Sequence, residues 1–244
     1  MGKKRVLITG AAGRIGSVLR EAFRDRYLLR LMYHEKALLP EGDEEAVMGD
    51  ILIFDSILKA MKGVDAVVHL AAAVGGFAPW ERILNLNIIG TYNVFETACQ
   101  SGIKKIVFAS SNHVAGFWEK EGVYTTVEMP VRPDSLYGVS KAFGEALARY
   151  YVDQFGMSII CLRIGSFLGK DPPGPLSGRV LSTWISNRDM AQLVWRSIET
   201  NLPFGIFYGI SDNTRKFWDI SNARKLLGYS PQDDAEKFAK TTEM

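Results

Sequence analysis

Close to its start the chain runs Val6, Leu7 and Ile8 into Gly10, Gly13 and Gly16 and then turns helical. A short unbroken apolar run of this kind suits a strand buried on both faces of a parallel sheet. Gly10 permits a tight turn, Gly13 lets backbone approach a pyrophosphate, and Gly16 lets the following helix sit close to the strand. The free N–H groups and positive dipole end of that helix then point at the phosphates. The spacing is G-x-x-G-x-x-G, a variant of the dinucleotide fingerprint, and a glycine-rich strand-to-helix turn alone serves equally as a plain tight turn. The rest of the chain has to decide between them.

It does so by alternation. Strand runs are expected at Arg5–Thr9, Leu28–Met32, Ala66–Leu70, Lys105–Ala109, Ser158–Arg163 and Gly205–Tyr208, and amphipathic helical stretches at Ser56–Lys62, Ile83–Ser101 and Leu136–Phe155. This rhythm predicts an α/β fold of the Rossmann type, a doubly wound parallel sheet with helices on both faces. With 244 residues, 47% of them hydrophobic, one substantial core suffices. From Gly169 the character changes to a loop of Asp171, Pro172, Pro173, Gly174 and Pro175, followed by helical stretches near 187–199 and 221–227. Residues 1–168 are therefore expected to form the dinucleotide-binding core, and 169–244 a small substrate-covering lobe that does not fold alone.

Bulk properties exclude several classes. A net charge of +2 gives no reason to expect a nucleic-acid partner. Cys99 and Cys161 lack C-x-x-C spacing and read as buried thiols of a reducing compartment. The three histidines are scattered, so no metal site is expected. The apolar stretch after Lys3, Lys4 and Arg5 ends too early for a signal peptide, and Asp65 and His69 interrupt the best membrane candidate. The expectation is a soluble, cytoplasmic protein.

Tyr137 and Lys141 form Y-x-x-x-K at the start of a helical stretch, so their side chains share one face. A phenol with an ordinary pKa of about 10 is a poor base at neutral pH. A neighbouring ammonium favours the phenolate and brings it toward the working range. Ser111, at the end of the strand near Ile106–Ser110, is placed to hold a substrate oxygen. Tyr and Lys are also ordinary helix-surface residues, and the pair gains force from the fingerprint upstream.

In combination, TGAAGRIG, HLAA (Leu70, Ala71 and Ala72 following His69), FASSNH and YGVSK resemble the extended short-chain dehydrogenases/reductases. More narrowly, FASSNHVAG, RPDSLYGVSKAFGE, LRIGS and LSTW resemble uronate dehydrogenases, which oxidise hexuronates at C1 to aldarolactones with NAD. The ending YGISDNTRKFWDISNARKLLGYSPQD is similar to the haloarchaeal glucose-6-phosphate dehydrogenases of the same superfamily. The resemblance implies a catalytic Ser111, Tyr137 as base and Lys141 beside it. It implies cofactor contacts at Gly10, Gly13, Arg14, Ile15, Gly16, Asp50, Ile51, Leu70, Ala71, Ala72 and Asn87, with Tyr137 and Lys141 also touching the cofactor. Substrate contacts are implied at Ser111, Asn112, His113, Ser166 and Arg179. A guanidinium fork at Arg179 binds a carboxylate through two parallel hydrogen bonds and suits a phosphate too. A solvated arginine and an ordinary hydrogen-bonded histidine are the bland alternatives at Arg179 and His113.

Two features depart from the pattern. The second strand ends at Tyr33, where NAD enzymes usually carry an acid for the ribose hydroxyls, and Arg14, His34 and Lys36 suit a 2′-phosphate. NAD is implied by the resemblance, and NADP is left open. The chain also stops at Met244, whereas uronate dehydrogenases carry a longer tail with an aromatic substrate contact, so pocket closure is expected from residues 169–180 or a partner chain. The expected reaction is C1 oxidation of a sugar acid, or of a sugar phosphate, to a lactone. A nucleotide-sugar epimerase or dehydratase and a non-catalytic NAD(P)-binding sensor are the competing readings. Apolar residues around more than one face of 83–101 and 136–155, including Phe143, Leu147, Tyr150 and Tyr151, must be buried somewhere, and the resemblance implies that these two helices pair in a homodimer.

Overall fold

The computed structural model describes residues 2–75 and 78–240. Strands β1 (Arg5–Thr9), β2 (Leu28–Tyr33), β3 (Glu45–Met48), β4 (Ala66–His69), β5 (Lys105–Ser111), β6 (Ser158–Ile164) and β9 (Phe204–Gly209) form one parallel sheet in the order β3-β2-β1-β4-β5-β6-β9. The order reverses between β1 and β4, and this switch point is where open α/β sheets bind ligands.

Burial explains the apolar runs. Val6 and Ile8 pack against α1 (Arg14–Phe23) and α8 (Asn187–Glu199), while Leu7 packs on the other face beneath α2 (Phe54–Met61), α4 (Gly90–Gln100) and α6 (Leu136–Phe155). Alternate residues of one strand thus enter two different cores, and no polar alternation is left to see. The stretch expected as one helix from Ile83 to Ser101 starts earlier, as α3 (Trp80–Ile83). It continues through a π-helical segment at Leu84–Ile89 into α4. Ser135 caps α6 by accepting from Gly138 N (3.1 Å), and Gly156 ends it in the left-handed conformation.

Beyond β6 the chain leaves the sheet at Gly165. It forms the two-stranded ladder of β7 (Ser166–Phe167) and β8 (Trp184–Ile185) around α7 (Val180–Thr183), and then returns as α8 and β9. The expected division at 168/169 therefore does not separate the sheet from the cover, because β9 is the seventh strand of the core. The cover consists of two pieces, residues 166–185 and 210–240. Backbone bonds between Leu176 and the segment Phe238–Lys240 join them, and their apolar residues gather around Trp184 and Trp218. Residues 241–244 of the expected lobe lie outside the described residues. No helix among the described residues is long and apolar enough to cross a membrane, and no cluster among them could hold a metal ion.

Candidate active site

The carboxyl ends of β1, β4, β5 and β6 open into one cavity of about 680 Å³, within the usual size range of small-molecule sites. Its floor begins at the glycine turn. Gly10 has φ +68°, and a Cβ there would come within 2.9 Å of Ala71 N, so the backbones of the β1 and β4 turns touch. At Gly16 a Cβ would lie 2.5–2.7 Å from the Ala11 backbone, so only glycine lets α1 sit this close. Gly13 is the N-cap of α1 and supplies no side-chain cap, which leaves the first N–H groups of a ten-residue helix facing the cavity. These features fit a dinucleotide: an uncapped helix N-terminus, a backbone cradle without side chains, and a cavity running from there to Tyr137.

The β4 turn is held from behind. Thr9 Oγ1 accepts from Leu70 N (3.2 Å) and Ala71 N (3.3 Å), so its hydroxyl proton is free to go to His69 Nδ1, 2.8 Å away. The other ring nitrogen faces Thr91 Oγ1 at 3.4 Å, and this pattern assigns His69 as neutral with its proton on Nε2. Burial, with Lys141 nearby, pushes its pKa down to about 3, in keeping with a neutral ring.

At the chemical end, Ser111, Asn112, His113, Tyr137, Lys141, Ser166 and Arg179 all line the cavity. The expected catalytic trio is brought together from β5 and the first turns of α6. Burial raises the Tyr137 pKa, and a hydrogen bond from Ser111 works against that rise. Lys141 is fully enclosed, which lowers its pKa to about 7, and its Nζ donates to Ala109 O at 2.8 Å. Its Nζ sits 5.7 Å from the Tyr137 ring centre. Burial thus favours the neutral form of both groups, and the pull expected of Lys141 on the phenol acts against it.

His113 stands edge-on to Tyr137, with ring centres 5.8 Å apart, and its Nδ1 is 2.8 Å from Asp134 Oδ1. Arg179, the N-cap of α7, meets the Glu119 carboxylate with Nε and Nη2, the latter at 2.8 Å. Its Nη1 lies 3.4 Å from Ser166 Oγ. With the Asn112 amide assigned to satisfy its neighbours, Nδ2 donates to Ile164 O (2.9 Å) and Oδ1 accepts from Arg179 Nη2 (2.5 Å). A carboxylate therefore already sits in the fork.

Other expected contacts fall outside the lining. Asn87, on the π-helical segment, accepts from Ala73 N (2.7 Å) and donates to Ala73 O (3.0 Å) and Ser140 Oγ (2.9 Å). It ties the loop after β4 to α6 without facing the cavity. Ile51 packs against Gly90, while Asp50 accepts from Leu52 N and meets the cavity wall through His34, 3.7 Å away. Leu70, Ala71 and Ala72 line the cavity, as do Arg14 and Ile15, and its far end is bounded by Tyr33, His34, Glu35 and Lys36. Of the loop expected to close the pocket, Arg179 reaches the cavity, and Phe167 joins it from β7.

Sequence reasoning missed Glu119, Asp134 and the pair Glu145–Arg163. Glu119 lies in the charged run FWEKEG, which reads as solvated surface, and nothing in the sequence links it to a residue 60 positions on. Asp134 carried a weak signal, an acid immediately before the N-cap serine of the Y-x-x-x-K helix.

The sequence profile of the NAD dependent epimerase/dehydratase family matches residues 6–206. The chain belongs to that family. Among curated relatives, the uronate dehydrogenase of Pseudomonas syringae pv. tomato is 40% identical over 96% of this chain and 84% of its own length. The NAD-dependent glucose-6-phosphate dehydrogenase of Haloferax volcanii is 39% identical over 96% of this chain and 95% of its own. A crystal structure of uronate dehydrogenase from Agrobacterium tumefaciens, a tyrosine-to-alanine variant complexed with NAD, superposes with a TM-score of 0.87. It shares 39% identity over 97% of this chain and 88% of that one. The chain is thus an NAD-dependent enzyme of the epimerase/dehydratase family.

Proposed function

We propose that this chain oxidises an anionic aldose at C1 to the lactone, with a hexuronate as the foremost substrate and NAD as the hydride acceptor. The observation that carries the reading is the content of one cavity: Ser111, Tyr137 and Lys141 at one end of a dinucleotide cradle, and Arg179 with a carboxylate in its fork at the rim. The likeness to uronate dehydrogenases over nearly the whole chain supports the same substrate class.

In this reading Ser111 donates to the C1 oxygen and Tyr137, once ionised, takes the hydroxyl proton. NAD, when bound along the Gly10–Gly16 turn, supplies the acceptor for the C1 hydride. Lys141 in its charged form stabilises the phenolate, while Asn112, Ser166 and Arg179 hold the far end of the sugar so that C1 stays at Tyr137. His113, braced by Asp134, fixes a ring hydroxyl. Gly10, Gly13, Arg14, Ile15, Gly16, Leu70, Ala71 and Ala72 bind the cofactor directly. Asp50, Ile51 and Asn87 act behind them. Tyr33 in the usual place of the ribose acid, with Lys36 nearby, favours tolerance of NADP as well.

A sugar phosphate is the second reading, favoured by the Haloferax volcanii relative and by the suitability of a guanidinium for phosphate. Following reduced-cofactor absorbance with glucuronate, galacturonate and glucose 6-phosphate, each against NAD and NADP, tests both. Turnover of a uronate supports the first. Turnover of the phosphate alone moves the chain to the second, and silence with cofactor bound sinks both.

The chain also pairs with a second copy through α4 and α6 in this reading. Tyr92, Val139, Tyr150 and Phe155 are exposed on those helices, although Tyr151 is buried and packs inward. Light scattering at micromolar concentration that returns a monomer overturns the pairing. Two free cysteines, one of them buried, support operation in a reducing cytoplasm.

A further inference from the structure

Two segments meet at Arg179, which lines the cavity. One is the short helix α5 (Gly116–Lys120), anchored by Phe117 N donating to Arg132 O at 3.0 Å. The other is the segment that leads into α7 and carries Arg179 at its N-cap. The Glu119–Arg179 pair bridges them, with both guanidinium atoms of one edge, Nε and Nη2, given to the carboxylate. Trp218 lies beneath the guanidinium at 5.6 Å, and Asn112 and Ser166 touch its remaining donors. These three contacts do not involve Glu119.

A carboxylate satisfied in this way removes the positive charge that an anionic substrate would seek. The arrangement is an ion pair at the rim, not a vacant clamp. Glu119 has 13% of its side chain exposed and Arg179 42%, so the pair is partly screened and its separation is affordable in water. An incoming carboxylate either takes the Nε/Nη2 edge, for which Glu119 must turn outward, or approaches the Nη1 end and meets the like charge of Glu119 across the guanidinium. A neutral aldose meets no such competitor.

We propose that Glu119 is a specificity-determining residue, an internal competitor that an anionic sugar displaces from Arg179 and that sets how strongly the site distinguishes charged from neutral aldoses. The proposal rests on the reading of Arg179 as the anion-binding residue. Glu119 needs no chemical step of its own, since it tunes ground-state binding and leaves the proton transfer at Tyr137 untouched.

The test is Glu119→Gln, which keeps shape and removes charge, with Glu121→Gln as control. Glu121 sits nearby but pairs with Arg132, so the control changes net charge equally without freeing Arg179. Binding of D-glucuronate to each protein saturated with NADH is read by calorimetry, and KM and kcat for D-glucuronate and D-glucose are read in parallel. Glu119→Gln is expected to tighten glucuronate binding and lower its KM by about fivefold, the upper end of what one partly exposed charge pair is worth, leaving kcat and the glucose KM alone. Glu121→Gln is expected to change neither by more than about twofold, because screening weakens distant surface charges. Unchanged or weaker glucuronate binding in Glu119→Gln, or an equal gain in the control, overturns the proposal. If binding tightens as stated but neither protein turns over, Glu119 keeps its role and the oxidation reading falls. Normal turnover with no tightening leaves the oxidation reading standing and removes the role of Glu119, and no binding with no turnover removes both.

Discussion

Behind the chemical end lies a charge pair whose removal tests how the β5 strand end is held. Arg163 on β6 and Glu145 on α6 meet through two bonds, Nε to Oε1 at 2.9 Å and Nη2 to Oε2 at 2.8 Å, with side chains only 2% and 5% exposed. Ser110, next to Ser111, donates to the same Oε1 at 2.6 Å. Burial works against the guanidinium charge, and the bonds and charge of Glu145 outweigh it, so the Arg163 pKa is raised. Glu145→Gln keeps the volume but turns an NH₂ toward a guanidinium N–H and leaves the buried cation uncompensated. Breaking a buried pair in this way costs about 3–5 kcal/mol, a large part of the roughly 5–15 kcal/mol that holds a typical domain together. Equilibrium urea unfolding reads the loss directly. A second variant, Glu145→Leu with Arg163→Met, removes both charges and is expected to recover most of it, because desolvation of the pair offsets its attraction. A loss below about 1 kcal/mol in Glu145→Gln would refute the reasoning, as would a double variant no more stable than Glu145→Gln.

Tyr137→Phe is expected to lower kcat by a factor of about 10² or more, the scale of a lost general base. NADH binding, followed by fluorescence titration, stays near wild type; loss of both points to misfolding instead. Gly16→Ala forces a methyl into the Ala11 backbone at 2.5 Å, so both thermal stability and NAD affinity fall together; an unchanged Kd for NAD contradicts the tight α1–β1 packing. Buried neutral His69 has its pKa down at about 3, below its unfolded value. The unfolded chain therefore binds the extra proton, and stability declines as pH drops from about 6.5 toward 3, by about 1.5 kcal/mol between 6.5 and 5. Urea midpoints that stay flat across that interval in the wild type, or a slope unchanged in a His69→Asn variant, contradict it.

What the sequence revealed depended on where burial is continuous. β1, β4, β5 and β6 are covered on both faces, so Val6-Leu7-Ile8 and Ile159-Ile160-Cys161-Leu162 stand out as apolar runs. β3 escaped because it is an edge strand, half-buried at best, and Glu44 and Glu45 make its start look like a charged loop. The π-helical turn that presents Asn87 was also invisible, since a shift in backbone bonding leaves no trace in composition. The cavity residues were legible because each sits at a strand end or helix start, where motif and position coincide. Glu119, Asp134 and Glu145 were not, because each acts through a partner that only the fold brings near.

The chain's two excursions beyond the sheet have a consequence for how such a protein can be varied. The covering pieces are not an appendage but two loops threaded on either side of α8 and β9. A chimera joined once near residue 168 would import a foreign seventh strand along with a foreign cover, and β6 would have to accept a new neighbour. Exchanging the cover alone takes three joints, near 165, 186 and 210, with α8 and β9 left native. Substrate range in this scaffold is therefore more readily altered by point changes at the rim than by recombination.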